Sequence, residues 1–446
     1  MFERLLIANR GEIALRVIAA CRDLGIKTVA IYSTVDRDSL HVQLADEAIC
    51  IGEAPSSRSY LSVPAIISAA EIADVDSIHP GYGFLAEDAS FAEICQGCGI
   101  RFIGPRPEAI RLMGDKSQAR KAAAEAGIPV LPGSPEPLRT PSEAAGLAQS
   151  IGFPVILKAS MGGGGRGMRI VRDPSRLKDS FLQATAEAEA AFGSGQVYLE
   201  KFIERPRHIE FQVLGDEYGN VISLGERECS IQRRHQKLVE EAPANGVAAE
   251  QRARMGETLA RALSTIGYSN AGTVEFLMDE DGDLHFIELN ARIQVEHPVT
   301  EAVCGVDLVK SQLLLAAGEP LGAVVPQTPS VSGHAIECRV NAEDPRTFLP
   351  SPGLVRRFVA PGGPGIRVDS AAYSGWSVQP HYDSLVAKII AHGDTRSQAI
   401  ARMRRALSMC ILDGIKTSIP LHRRILRTPQ FADGRYDTKF IEEMGL

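Results

Sequence analysis

Short apolar runs and helical spacings alternate at the start of the chain. Residues 5–8 and 28–32 are apolar runs that predict strands. Between them, apolar side chains recur at helical spacing as far as Leu24, and Gly25 follows as a helix end. A strand, a helix and a strand in close succession predict a parallel sheet covered by helices. The pattern continues to about Gly114, so we expect residues 1–114 to form a doubly wound α/β domain.

A proline-rich passage separates this region from a smaller unit. Prolines cluster between Pro129 and Pro141 and break regular structure there. A helix is predicted from Asp173 to Gly193, with an N-cap residue at its start and glycine beyond its end. Around it lie three predicted strands, at residues 155–158, 168–171 and 197–200. The unit is small and has a glycine-rich loop at its tip, so we expect a mobile lid at about residues 131–203.

A loose stretch at residues 318–333 divides the rest of the chain. Short alternating runs and a helical end follow it. The predicted fold class is therefore α/β. It comprises the doubly wound N-terminal domain, a central domain at 115–330 that carries the lid, and a mixed α+β C-terminal domain at 331–446.

The charge balance excludes some classes of partner. The 446-residue chain has a formal net charge of −7, which argues against nucleic acid or an anionic membrane as its main partner. No apolar run approaches the roughly 20 residues of a membrane helix, and the first residues do not resemble a signal peptide. We therefore expect a cytoplasmic protein. The eight cysteines are expected to be core thiols, because Cys95 and Cys98 lack the further ligands of a zinc site.

Two glycine patterns suggest different ligands. Lys158 precedes a loop with four consecutive glycines, at residues 162–165. Such a loop can bring backbone N–H groups close to phosphates, and we prefer this interpretation to a flexible hairpin turn because the lysine lies beside it. Residues 81–86 match the dinucleotide-binding pattern GxGxxA, but they do not follow the first strand of the chain. A nicotinamide site is therefore disfavoured.

The most informative polar residues lie on a predicted hairpin. Residues 273–277 and 284–290 read as its two strands, joined by a turn that contains glycine. Alternation lets Glu275, Glu288 and Asn290 converge as hard oxygen ligands of the kind that suits magnesium. If the chain stays extended, Arg292, Gln294 and Glu296 continue on that face while Ile293 and Val295 turn away. A solvated outer face is the alternative, but so many polar groups on an apolar strand pair favour a site.

The residues beyond the hairpin suggest an anion and a base. The planar fork of Arg292 fits a small planar anion, and Glu296 could accept a proton from it. A basic segment at residues 233–237 could supply countercharge to a phosphoryl group in transfer, or could be a solvated loop.

Several longer stretches, together spanning nearly the whole chain in order, carry a family resemblance. The chain resembles the biotin carboxylase subunits of acetyl-CoA carboxylases, within the ATP-grasp superfamily. The matching stretches are IANRGEIALRV, HPGYGFLAE, KASMGGGGRGMR, RRHQK, EEAP, GTVEFL, ELNARIQVEHPVTE, GHAIECRVNAEDP, FLPSPG and HYDSLVAK. The resemblance implies an ATP-grasp fold for the central domain, and ELNARIQVEHPVTE with ECRVNAEDP separates this family from other ATP-grasp ligases.

The resemblance implies roles at the matching positions. ATP would be held by Lys116, Lys158, Gly164, Gly165, Glu200, Lys201, Ile203, His208, Gln232 and His235. Magnesium, as two ions that manganese could replace, would bind to Glu275, Glu288 and Asn290. Bicarbonate would contact Lys237, Arg292, Gln294 and Val295, with Glu296 as the base. Biotin would contact Arg339 and Tyr82. The catalytic residues would be Lys237, Arg292, Glu296 and Arg339.

The family reaction has two steps. Bicarbonate attacks the γ-phosphate of ATP to give carboxyphosphate, which breaks down to CO₂ and phosphate. Phosphate then removes the N1′ proton of biotin, and the resulting enolate is stabilised by the guanidinium assigned to Arg339. The products are carboxybiotin, ADP and phosphate.

The partners also follow from the resemblance. No methionine precedes a lysine, so the Met-Lys-Met biotin attachment site is absent and a separate biotin carboxyl carrier protein is expected. The chain is also too short to include a carboxyltransferase, so separate carboxyltransferase subunits and a homodimer are expected. Fatty-acid synthesis through acetyl-CoA carboxylase is the predicted context. A subunit of a pyruvate or other acyl-CoA carboxylase is the alternative, and an ATP-grasp ligase that joins an acyl phosphate to an amine is a more distant one.

Overall fold

A computed structural model describes residues 1–159, 168–326 and 330–445 of the chain. No helix within these ranges combines the length and apolar character needed to cross a membrane. The predicted glycine loop at 162–165, with Gly164 and Gly165, lies outside the described residues.

The N-terminal region is a parallel sheet with helices on both faces, as predicted. Leu5 and Ile7 pack with one helix and Leu6 and Ala8 pack on the opposite side. The strands are β1 (Arg4–Ile7), β2 (Lys27–Ser33), β3 (Glu47–Gly52), β4 (Ser77–His79) and β5 (Arg101–Phe102), in the order β3-β2-β1-β4-β5. The helices are α1 (Gly11–Leu24), α2 (Leu40–Leu44), α3 (Val63–Ile72), α4 (Ala89–Gly97) and α5 (Pro107–Gly114). Gly25 ends α1 in the left-handed conformation that glycine favours.

A small subdomain follows the N-terminal region. Helix α6 (Lys116–Glu125) leads to it and packs in the main core, through Ala119 and Ala123. The elements of the subdomain are α7 (Pro141–Ile151), β6 (Val155–Ala159), β7 (Met168–Val171), α8 (Leu177–Phe192) and β8 (Val197–Lys201). The three strands form an antiparallel sheet in the order β7-β6-β8. It has an apolar core of its own, which includes Leu157, Phe181 and Leu199. Asp173 caps a short 3-10 turn that leads into α8, so the α-helix starts a few residues later than predicted.

The centre of the molecule is an eight-stranded sheet in which neighbours are antiparallel. Its strands are β9 (Arg207–Gly215), β10 (Val221–Arg233), β11 (Gln236–Ala242), β12 (Asn270–Met278), β13 (Leu284–Asn290), β14 (His334–Asn341), β17 (Ile366–Ser370) and β19 (Leu385–Gly393). The order is β13-β12-β9-β10-β11-β14-β19-β17. The described chain between these strands also forms four helices: α9 (Ala249–Ile266), α10 (His297–Cys304), α11 (Leu308–Ala316) and α12 (Leu321–Val324). Because β11 pairs with β14, the sheet crosses the region near residue 330 where the sequence predicts a boundary.

The C-terminal part completes this sheet and adds helices to it. Its remaining strands are β15 (Gly353–Leu354), β16 (Arg357–Val359), β18 (Ser377–Val378) and β20 (Ile411–Asp413). Its helices are α13 (Arg396–Met409), α14 (Ile419–Ile425), α15 (Pro429–Ala432) and α16 (Phe440–Glu443). The apolar residues of β14 and β19, such as Cys338 and Ile389, join a core with α13 and α14. Alternation therefore turns Glu337, Arg339 and Lys388 toward the opposite face.

Candidate active site

A cleft of about 1930 Å³ lies between the central sheet, the small subdomain and the N-terminal region. Residues from each of these parts line it, including Tyr82, Lys158, Glu288 and Arg339. All the described residues predicted for ATP, metal, bicarbonate and biotin lie along this one cleft. The cleft is large enough for several small ligands side by side.

The hairpin predicted at its floor is present, and its second strand has the predicted bounds. Glu275 on β12 is the register partner of Glu288 on β13. The side-chain amide of Asn290 donates to Glu275 Oε1 at 2.9 Å, and Lys116 Nζ lies 3.2 Å from Glu288 Oε2. The structure therefore brings two carboxylates and an amide together at the cleft, opposite a lysine from α6.

Lys237 lies at the centre of a buried charge cluster. Its ammonium donates to Glu210 at 2.5 Å, Glu296 at 2.6 Å and Glu275 at 3.0 Å. Burial alone would lower the pKa of Lys237, but the three carboxylates outweigh it and raise that pKa well above its ordinary value. The lysine therefore stays charged, as a fixed countercharge beside the hairpin.

The hairpin that carries Lys237 has an unusual turn. Arg234 and His235, between β10 and β11, both have positive φ, which is the geometry of a two-residue hairpin turn. Gln232, Arg234 and His235 line the cleft, whereas the Arg233 guanidinium lies 4.0 Å from the ring centre of Phe348. The basic segment is thus part of the cleft wall, and Arg234, His235 and Gln236 at its turn are exposed to solvent there.

Glu296 lies deeper in the same cluster and is fully buried. Its second oxygen accepts from Arg339 Nη2 at 2.9 Å. Burial would raise its pKa, but attraction by Lys237, Arg339 and Arg227 lowers it well below the ordinary value. Glu296 is therefore an ionised carboxylate held between two cations that contact it directly.

The chain does not stay extended beyond the hairpin, so the alternation considered for residues 292–296 does not apply. Strand β13 ends at Asn290, and residues 291–296 bend toward the N-terminus of α10, where Glu296 occupies the N-cap position. Ile293 is buried in the core, but Val295 lines the cleft together with Gln294. The bend occurs because α10 begins immediately after Glu296, with proline near its first position.

Four acceptors orient the guanidinium of Arg292, one of which is the Ile293 carbonyl, at 3.2 Å from Nη1. Nε donates to Glu87 at 2.8 Å, Nη1 to Gln294 at 2.9 Å and Nη2 to Asn290 at 3.0 Å. These bonds hold the fork in one plane at the cleft wall and occupy four of its five N–H groups, so an anion would bind by replacing one of the present acceptors.

The small subdomain supplies a second charged group. Lys158 Nζ donates to Glu200 at 2.5 Å across β6 and β8. Lys201 instead donates to two backbone carbonyls, of Gly152 and Phe153, at 3.1 Å each. His208 lies opposite, with Nε2 at 2.8 Å from Glu275; burial opposes its protonation, but this carboxylate raises its pKa. Ile203 and His235 complete the same end of the cleft.

The other end of the cleft is formed by Arg339 and Tyr82. Arg339 Nε donates to Glu240 at 2.5 Å, and the Tyr82 hydroxyl is hydrogen-bonded to Glu12. Burial raises the pKa of Glu240 to about 7, and Glu296 adds to this, although Arg339 opposes it. Arg339 therefore bridges Glu296 in the central cluster and Glu240, whose carboxyl group resists ionisation.

Sequence reasoning missed a layer of buried partners behind these groups. Arg227 is fully buried and donates to Glu210 at 2.5 Å and to Gln212 at 2.8 Å. The signal was present in the sequence, because polar residues occur at every second position of β9: His208, Glu210 and Gln212. Glu87 and Glu240 carried no such local signal.

The other sequence patterns have structural explanations. A Cβ at Gly81 would come within 2.8 Å of the Asn9 side chain, which donates to the carbonyls of Pro80 and Tyr82. Cys95 is buried and Cys98 exposed, both as free thiols. Among the described residues, the His, Cys and acidic groups close enough to share a metal all include Glu210, which already binds Lys237.

A central antiparallel sheet, a small three-stranded subdomain across a cleft, and facing lysines and carboxylates define the ATP-grasp class of ATP-dependent ligases. The sequence agrees with this class. Residues 115–324 match the family described as carbamoyl-phosphate synthase L chain, ATP binding domain. Residues 1–110 match the biotin carboxylase N-terminal domain, and residues 337–443 match the biotin carboxylase C-terminal domain. The chain belongs to the biotin carboxylase family.

Individual relatives align with this chain over nearly its full length. The biotin carboxylase of Haemophilus influenzae is 56% identical over 444 residues, covering 99% of each chain. The crystal structure of a biotin carboxylase complex from Campylobacter jejuni has a TM-score of 0.94 at 48% identity, with 99% of each chain covered. The biotin carboxylase domain dimer of Hydrogenobacter thermophilus 2-oxoglutarate carboxylase, in complex with MgADP, ADP and bicarbonate, has a TM-score of 0.93 at 51% identity. It covers 100% of this chain and 98% of that one.

Proposed function

We propose that this enzyme uses ATP and bicarbonate to carboxylate N1′ of biotin on a separate biotin carboxyl carrier protein. The observation that carries the proposal is the position of Glu296. It contacts Lys237 on the side of the hairpin carboxylates and Arg339 on the side of Tyr82. A single base therefore lies between a site suited to phosphates and a second site suited to an uncharged acceptor.

The hairpin fits magnesium by the chemistry of its donors. Glu275 and Glu288 are opposed in register, and Asn290 lies beside them with its amide nitrogen on Glu275 and its oxygen on Arg292. Rotation of this amide would turn its oxygen toward the two carboxylates and complete a set of hard oxygen ligands. Glu288 retains about a third of its side-chain exposure at the cleft, with Lys116 as its charged neighbour. Bound magnesium would neutralise charge on the phosphates of ATP. Lys116 and Lys158 would add countercharge from α6 and the lid, together with His208 and His235.

Bicarbonate fits beside Arg292. The fork is held in place by Glu87 and Gln294, and bicarbonate would take over N–H groups from these present acceptors. Gln294, Val295 and Lys237 would form the rest of this subsite. Glu296, ionised at neutral pH, would accept the bicarbonate proton as the oxygen attacks the γ-phosphate. Lys237 would stabilise charge that develops on the transferring group.

The second step would take place at Arg339. Its guanidinium would leave part of its contact with Glu240 and Glu296 to bind the ureido oxygen of biotin, where negative charge develops. Tyr82, held by Glu12, would lie beside the ring. Phosphate released from carboxyphosphate would accept the N1′ proton, and the deprotonated N1′ would then attack CO₂ to form carboxybiotin.

We propose a homodimer as the working unit, acting in the cytoplasm with a carrier protein and carboxyltransferase subunits. The dimer is supported by the Hydrogenobacter domain, which is described as a dimer. Acetyl-CoA carboxylation, as the first half-reaction of fatty-acid synthesis, is the proposed context. A pyruvate or other acyl-CoA carboxylase is kept as the alternative, because a biotin carboxylase subunit of pyruvate carboxylase is 52% identical with a TM-score of 0.89.

ADP release provides the test. The enzyme should release ADP only when bicarbonate is present, and free biotin should stimulate the rate. ADP release that is independent of bicarbonate would refute the function. The acceptor is decided by reconstitution: carrier and carboxyltransferase subunits from the same organism should yield carboxylated acetyl-CoA, and a product from pyruvate instead would favour the alternative.

A further inference from the structure

Strand β19 carries a lysine in the interior of the protein. Lys388 has no exposed surface. Its ammonium donates to the backbone carbonyl of Val295 at 2.9 Å and lies 3.1 Å from Glu12 Oε1. Asp369 is farther away, at 3.9 Å. One side chain from the C-terminal part therefore contacts both the loop before α10 and the first helix of the chain.

The charge on this lysine is maintained despite its burial. Burial would lower the pKa of Lys388, but Glu12, Glu337 and Asp369 outweigh it and raise that pKa. Glu337 lies on the neighbouring strand, and neither of its side-chain oxygens has a hydrogen-bond partner among the described residues. A buried ammonium is expensive, and an apolar residue would fill this place at lower cost. A purpose beyond packing is therefore indicated.

The hydrogen bond to the Val295 carbonyl indicates what this role is. The Val295 carbonyl belongs to the peptide bond that leads into Glu296, and Val295 itself follows Gln294 directly. Fixing this carbonyl fixes the backbone on which the proposed bicarbonate contacts and the base are carried. The partner carboxylate, Glu12, is also hydrogen-bonded to Tyr82 at the other end of the cleft.

We propose that Lys388 is a positioning residue for the bicarbonate subsite, acting through the Val295 carbonyl. This inference rests on the proposed function. Lys388 does not contact the reacting atoms; it restricts the loop that presents them. Its loss should weaken bicarbonate binding while leaving the ATP end of the cleft intact, because Lys116, Lys158 and Glu200 make no contact with it.

Three variants separate positioning from stability. Lys388→Met removes the donor and keeps most of the side-chain volume. Glu12→Gln removes the opposing charge, keeps an acceptor for Tyr82 and leaves the bond to Val295. The double variant Glu12→Gln/Lys388→Met removes both charges, so no unpaired charge remains buried between these two positions. Wild-type ADP release is measured first, so failure of the proposed function is recognised before the variants are compared.

Both variants that carry methionine should raise the KM for bicarbonate by about 10–100-fold, the range expected for a lost hydrogen bond to a charged group. Their KM for ATP should stay unchanged, and Glu12→Gln should keep the wild-type KM for bicarbonate. Amide hydrogen exchange in residues 291–297 should be faster in Lys388→Met than in Glu12→Gln. Melting temperature should be lowest in Lys388→Met and recover in the double variant.

The proposal is overturned if the double variant regains stability and also has the wild-type KM for bicarbonate. A parallel rise in the KM of ATP and bicarbonate would equally reject it, as would an equal effect of Glu12→Gln. If neither methionine variant folds, Lys388 is a determinant of stability and the positioning role is rejected.

Discussion

Replacing Arg339 with alanine tests the separation of the two reaction steps. The guanidinium donates to Glu240 at 2.5 Å and to Glu296 at 2.9 Å, and both carboxylates are fully buried. Breaking a buried pair by removal of one partner costs about 3–5 kcal/mol of unfolding free energy. The pKa of Glu240 is already raised to about 7, so without Arg339 this group takes up a proton at neutral pH. The loss should therefore lie at the lower end, about 3 kcal/mol.

The catalytic effect should fall mainly on the carboxylation of biotin. Loss of one donor to a developing negative charge costs about 3–4 kcal/mol, or about 100–1000-fold in rate. Arg339→Ala should lose that much in biotin carboxylation and far less in bicarbonate-dependent ATP cleavage without biotin. Some loss of the second activity is expected, because Arg339 also contacts Glu296.

A matched double variant separates the role of Arg339 in the reaction from the destabilisation caused by leaving Glu240 without its guanidinium. Glu240→Gln combined with Arg339→Ala removes the acid that is hydrogen-bonded to Arg339 Nε, while Glu296 keeps its contact with Lys237, so this variant should recover stability and still fail to carboxylate biotin. The two activities and the melting temperature are measured side by side on wild type and both variants. If the double variant loses both activities in equal proportion, Arg339 serves bicarbonate or the fold, and the two-step assignment fails.

Four further outcomes are expected. Glu296→Ala should lower both activities by about 10²–10⁴-fold, and retention of bicarbonate-dependent ADP release would show that Glu296 is not the base. Glu288→Gln should raise the magnesium concentration needed for half-maximal activity and cut turnover; wild-type behaviour at limiting magnesium would contradict the metal assignment. A non-hydrolysable ATP analogue should slow proteolysis near Lys158 if the lid closes over nucleotide, whereas equal cleavage rates would argue against closure. Burial raises the pKa of Glu228 to about 7. The folded protein therefore holds a proton that the unfolded chain releases near pH 4.5, and the free energy of unfolding falls as the pH rises from one value to the other. Glu228→Gln should remove up to about 3 kcal/mol of that fall, measured by urea denaturation at pH 5 and pH 8, and an unchanged pH dependence would contradict it.

The local pattern of apolar and polar residues was sufficient to predict individual strands and the hairpin that carries the proposed metal ligands. The strand Leu284–Asn290 has its predicted bounds, and the register of Glu275 with Glu288 follows from a tight hairpin in which alternation fixes the faces. The family resemblance supplied candidates farther away, such as Arg339, which periodicity alone does not assign to the cleft.

What the sequence did not predict depends on pairing between distant strands. Glu240 and Glu337 are opposed across β11 and β14, and no spacing along the chain indicates this. Lys388 contacts Glu12 only because the first helix and strand β19 meet in three dimensions. The bend at residues 291–296 was missed because alternation predicts continuation of a strand, whereas the proline-initiated helix α10 ends it.

The sheet that runs through the centre also limits how this protein can be divided. Since β14 pairs with both β11 and β19, the C-terminal part is not a separable module. A chain cut near residue 330 would leave β11 as an open edge, with unpaired backbone groups that invite aggregation. It would also lose Arg339 and Lys388 together. The small subdomain has its own core, so exchange between homologous enzymes should succeed there and fail at the apparent domain boundary.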